Sequence, residues 1–229
     1  MAAKKAVVSW YGHDHADAYL LTAAHHLARG ASNPTTLPLT PPSVSATLYC
    51  AFAAEAYVNV ALIRMLGEDE YAHVSKMRVR TKYFLSTRLA TREDWFSSGE
   101  RVLESISELF TERNRLVHAQ PERTILHPFS DPDDPAMHAD LRNVARWIDA
   151  TADAVCRLAR SHAELHELDR VAGRLADLHL ARFDPLRDGE RLERDVIDVA
   201  VALLHEDDRH DLAEELDPEW DLRGLRSDE

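Results

Sequence analysis

The stretch FTERNRLVHAQPER, residues 110–123, places three chemically capable side chains within six positions: Arg113, Asn114 and His118. Histidine titrates near neutrality and can take or return a hydroxyl proton. Arginine stays charged and offers a planar fork of donors to phosphate oxygens as negative charge builds on them. Asn114 can orient His118 from one turn away or donate to phosphate itself. On a helix, Val102, Leu103, Ile106, Leu109, Phe110, Leu116 and Val117 span one broad apolar face, and Arg113 falls near its middle. A cation there is costly unless the face meets a cleft, a second subunit or a buried acid. The plainer alternative is structural: His118 sits in the last turn, where the helix dipole favours it, and Arg113 snorkels to solvent.

Glu55 is the one acid in the apolar stretch CAFAAEAYVNVAL, with Asn59 one turn on and on the same face. It needs a partner as Arg113 does, which predicts that the two helices face each other and that Glu55 lies near Arg113. A hydroxyl elsewhere in the bundle is the competing partner. Lys76, Arg78, Arg80, Lys82, Arg88 and Arg92 form a run without acids just before the motif helix. It reads either as a solvated face or as a strip that holds an RNA backbone, with strong salt dependence. Three histidine pairs (His13 with His15, His25 with His26, His162 with His166) each offer two metal ligands but not the three or four of a designed site, so no metal is assigned.

Helices must position these residues. Glycine is scarce, 7 in 229 residues, while Ala, Leu, Arg and Glu abound. No Gly-rich phosphate loop, strand alternation, internal repeat or zinc-type cysteine pairing is present, and no cofactor is implied. A first helix fits HADAYLLTAAHHLARG, with Gly30 as its stop. After a proline-rich loop, a helix from about Ser43 to Gly67, apolar on nearly all sides, should form the centre of a bundle. A shorter helix carries the basic run. A Ser97–Glu100 capping box then opens the motif helix, which Pro121 closes. A second proline-rich loop precedes a long helix, about 139–168, with Leu141, Val144, Ile148, Ala152, Val155 and Leu158 as its packing stripe. Further helices lead into an acidic tail. The expectation is an all-α antiparallel bundle over residues 1–165, followed by a helical, acidic extension over 166–229.

At a formal charge of −13 the whole chain is no generic polyanion binder, so any contact with nucleic acid must come from a local patch. Cys50 and Cys156 lie among apolar neighbours and read as buried free thiols, as in a reducing cytoplasm. Lys4 and Lys5 are followed by only three apolar residues, so no signal peptide is read. Glu55, Asn59 and Arg64 interrupt the longest apolar stretch, which argues for a core helix over a membrane span.

Arg113-Asn114-x-x-x-His118 resembles the signature of the HEPN superfamily (higher eukaryotes and prokaryotes nucleotide-binding): Arg, a polar residue that is often Asn, and a His after four to six residues. AFAAEAYVN resembles the apolar second helix with a single acid found in many members. The resemblance covers roughly residues 14–165. It implies a HEPN-like bundle and a metal-independent endoribonuclease that cleaves RNA through the ribose 2′-hydroxyl, often a toxin or antiviral defence effector. Arg113 and His118 would be catalytic, with Asn114 and Glu55 in support. It also implies a homodimer in which two such helices line one cleft, and an antitoxin or regulatory protein as a further partner. The alternative is a non-catalytic module of the same fold that binds RNA, a nucleotide or a protein. In members silenced by nucleotide transfer a tyrosine commonly follows the histidine by two positions; Gln120 stands there, which speaks against that modification.

Overall fold

Small side chains make α2 (Pro42–Leu66) the element on which the others assemble. Ala46, Ala51, Ala53, Ala54 and Ala61 are buried along it, and with no bulk to clear, several helices approach at once. It is long and apolar enough to cross a membrane by length and composition, and most of that stretch is instead buried within the fold. The computed structural model describes residues 2–32, 41–91, 96–118 and 135–207 with Leu212 and Leu216, and side chains over 15–32, 41–90, 101–118 and 136–207 and at those two leucines. Every regular element among them is helical. They are α1 (Ala2–Ser32), α2, α3 (Glu68–Val74), α4 (Val79–Thr91), α5 (Phe96–Val117), α6 (Pro135–Ser161), α7 (Asp169–Ala176) and α8 (Pro185–Glu206), with 3-10 turns at Ala163–Leu168 and Leu180–Arg182. The capping side chains of Ser97 and Glu100, the stop at Pro121 and, apart from Leu212 and Leu216, the acidic stretch after Asp207 lie outside the described residues, as does most of both proline-rich loops.

Gly30 does not stop the first helix. It lies inside α1, and a Cβ there would sit 2.9 Å from Pro42 Cβ and 3.0 Å from Leu141 Cδ2. The residue permits close packing of α1 on the starts of α2 and α6. The Tyr57 hydroxyl, fully buried on α2, donates a short hydrogen bond to Asp17 of α1. Burial, then the nearby Asp17 charge, pushes the Tyr57 phenol well above its ordinary value. The α6 stripe is buried at all six positions named from the sequence, but the helix ends at Ser161. His162 caps the following 3-10 turn, its ring nitrogen accepting the Glu164 N–H at 3.3 Å. Beyond residue 165 the chain adds Leu168, Val171, Leu175, Leu192 and Val196 to the same core as the earlier helices.

The contacts fix relative directions. Cys50 lies 3.6 Å from Thr151, and Arg64 donates to the Glu164 carbonyl at 2.9 Å, so α2 runs parallel to α6 and the turn after it. Glu108 pairs with Arg146 at 2.7 Å, while Arg115, seven residues on, feels the charge of Asp140, six residues back; α5 is therefore antiparallel to α6 and to α2.

Candidate active site on the fifth helix

The apolar face of α5 is well covered at first: Leu103, Ile106 and Leu109 are at most 3% exposed. The cover then thins. Phe110 and Leu116 are half-buried and Val117 is 51% exposed. Arg113 stands on this face where it opens, itself half-buried, which removes most of the cost that a sealed cation would carry. Its guanidinium donates from Nη1 to Asn114 Oδ1 at 3.0 Å, while its buried Nε has no hydrogen-bond partner among the described residues. That bond draws the guanidinium from the apolar stripe toward the Asn114 edge. Asn114 and His118 are exposed and one turn apart, and the His118 N–H donates to the Asn114 carbonyl at 2.9 Å, so His118 still follows helical geometry. Asn114 thus touches both ends of the motif.

Glu55 does not join this group. As expected, α2 packs on α5. In the antiparallel register, however, the part of α2 beside the end of α5 is Ser43–Thr47, and Glu55 lies about 12 Å farther along the axis than Thr47. Its partner is Lys82 of α4, Nζ to Oε1 at 3.6 Å; the same ammonium donates to Asn59 Oδ1 at 2.8 Å. The reasoning that Glu55 and Asn59 need a partner holds, and the cation they meet is a different one.

The pairing also removes Lys82 from the basic strip. Its side chain is 2% exposed, packed on the face it shares with Val79, Tyr83 and Ser86, so it is no surface contact for RNA. Lys76, Arg78, Arg80 and Arg88 are exposed, with the Arg88 guanidinium 5.4 Å above the Phe84 ring. Arg92 lies outside the described residues. Burial pushes the Cys50 thiol up to about 12 and Cys156 up to about 11, so neither is a ready thiolate. Among the described residues no three His, Cys, Asp or Glu side chains converge as metal ligands.

A concavity flanks α5 away from the motif residues. A groove of about 610 Å³ runs between the starts of α2 and α6 and the later half of α5, lined by Ser43, Thr47, Ser107, Thr111 and Trp147 among others. Arg113, Asn114 and His118 are not part of its wall. No family model, curated protein or solved structure matches this chain.

Proposed function

We propose that the protein is a HEPN-like, metal-independent endoribonuclease, acting as a toxin or antiviral defence effector. The observation that carries the reading is the Arg113–Asn114 bond near the end of α5, beside an exposed His118. In the reaction a ribose 2′-hydroxyl attacks the adjacent phosphorus and the 5′-oxygen leaves, giving a cyclic phosphate and a free 5′-hydroxyl. His118 moves the proton; Arg113 holds the phosphate oxygens as their charge grows. One helix sets these two side chains roughly 140° apart with a rise of about 7.5 Å, too far around for one phosphate. Two copies meeting at the open, Val117-bearing end would bring Arg113 of one to His118 of the other. Lys76, Arg78, Arg80 and Arg88 would track the RNA backbone, and an antitoxin or regulatory protein would restrain the activity.

A second reading, a non-catalytic RNA-, nucleotide- or protein-binding module of the same kind, is favoured by the placement of Arg113 on the half-buried face and His118 on an exposed one, which a single chain does not bring to one phosphate. Incubation of total RNA with purified protein in EDTA separates the two. Fragments ending in cyclic phosphate support the enzyme, retained RNA without cleavage supports the binding module, and RNA neither cut nor bound rejects both.

A further inference from the structure

The cations at the start of α4 lack what others on this acidic chain have. Arg64, Arg146 and Arg170 each hold a carboxylate, at 3.5 Å, 2.7 Å and 2.7 Å. Lys76, Arg78 and Arg80 are exposed, and among the described residues none of them is paired with an acid. Met77, between them, is 41% exposed, so apolar surface lies within the same strip. The end of α8 comes to this level of the bundle. Arg170 donates to the Leu203 carbonyl at 3.1 Å, pairs with Asp207, and feels the charge of Asp17, the partner of Tyr57 on α2. Lys82, early in α4, bonds Asn59, two residues on from Tyr57 and on the opposite side of α2. The start of α4 and the end of α8 therefore flank one stretch of α2, with α1 and α2 between them. At ordinary helix spacing they stand roughly 20–30 Å apart.

The chain leaves α8 into DRHDLAEELDPEWD, residues 208–221, which carries seven acids and one arginine. Leu212 and Leu216, four apart and both helical, share a face, and Leu216 is 46% exposed. The segment spans about 20 Å as a helix and up to about 45 Å extended, enough to reach α4. It supplies the two things the strip lacks, negative charge and apolar cover. We propose that residues 208–221 dock on the start of α4, with carboxylates on Lys76, Arg78 and Arg80 and apolar side chains over Met77, and so compete with RNA for this strip. The contact rests on charge, reach and apolar match; the competition rests also on the ribonuclease reading.

The test uses the full chain labelled with ¹⁵N. Cys50 and Cys156 are buried, so Ala213→Cys takes a nitroxide selectively. The label should broaden the amide signals of residues 76–84 severalfold more than that of Gly189, at the far end of α8. The excess should vanish at about 0.5 M salt and in Arg78→Glu with Arg80→Glu, and return when Glu214→Arg and Glu215→Arg are added. Arg78 and Arg80 are exposed, so the variants should fold, and unchanged remaining resonances check this. In the second arm, Asp211→Asn, Glu214→Gln, Glu215→Gln and Asp217→Asn together should tighten oligouridylate binding about tenfold at low salt and leave it unchanged at about 0.5 M. Broadening no stronger on α4 than on Gly189, or equal in the charge-reversed protein, overturns the docking. The expected broadening with RNA affinity unmoved by neutralisation overturns the competition. The expected broadening with no RNA bound by either protein upholds the contact and counts against the ribonuclease reading instead.

Discussion

Replacing Lys82 separates a buried structural cation from an RNA contact. Lys82→Met keeps the length of the stem and deletes the ammonium. The loss is a charged hydrogen bond to Asn59 at 2.8 Å and an ion pair to Glu55 at 3.6 Å, together about 1.5–3 kcal/mol. Against it stands the several kcal/mol that desolvating an ion costs, which the variant no longer carries. Glu55, 40% exposed, returns to water without penalty. The net change should lie within about 1 kcal/mol of zero. Lys82→Ala also deletes three methylenes from a site 2% exposed, so it should be about 3 kcal/mol less stable than Lys82→Met, counting both transfer and cavity. Glu55→Gln leaves the ammonium with a neutral pair and, because solvent screens that side, should cost about 1 kcal/mol. Urea unfolding at constant m-value measures all three. RNA binding at several salt concentrations supplies the second arm: Lys82→Met should leave the salt slope unchanged, while exposed Arg80→Met lowers it by about one. A Lys82→Met protein of normal stability that loses RNA affinity with the same fall in slope as Arg80→Met would refute the reasoning.

Two glycines should respond in opposite directions. A Cβ on Gly189 would lie 2.8 Å from the Ala31 backbone, so Gly189→Ala should push α8 from α1 and cost about 2 kcal/mol; nothing lies within 4 Å of Gly173, where the same change should stabilise α7 by about 0.5–1 kcal/mol, both read from urea midpoints. Asp188, 5% exposed, is held at about 2 by hydrogen bonds from the Arg187 guanidinium and then from the Asp184 N–H. A folded value below the unfolded one gives stability that is complete above the ordinary carboxylate range and fades as the pH falls toward about 2. The Tm deficit of Asp188→Asn should therefore be largest near neutrality and narrow between about pH 4 and pH 2. Val117→Asp places a charge on a half-exposed position at the proposed dimer contact; it should yield folded monomers by light scattering, whereas an unchanged dimer would move the contact elsewhere.

The all-helical class was legible because periodicity and scarce glycine both point there. The α6 stripe was legible for the same reason, since every third or fourth residue is apolar and every one is buried. Gly30 misled because a glycine near a helix end signals a stop only when the chain must turn there; here the missing Cβ serves contact with Pro42 and Leu141. The Glu55 error was one of register. Shared need identified the right kind of partner, but a sequence does not say which level of one helix meets which level of another. A signal for Lys82 was available: spacing places it with Val79, Tyr83 and Ser86, the buried face of α4, rather than with Arg78 and Arg80. The Trp147 groove left no local pattern, because its walls come from three helices far apart in the chain.

The central claim, that an Arg113 and a His118 from two molecules act on one phosphate, is tested most directly by mixing variants. Arg113→Ala and His118→Ala should each be inactive on RNA in EDTA while remaining folded. Combined in equal amounts and allowed to exchange subunits, half of the dimers carry one intact pair, so about a quarter of the wild-type cleavage rate should return. Full activity in either single variant, or a mixture as inactive as its components, would contradict the account.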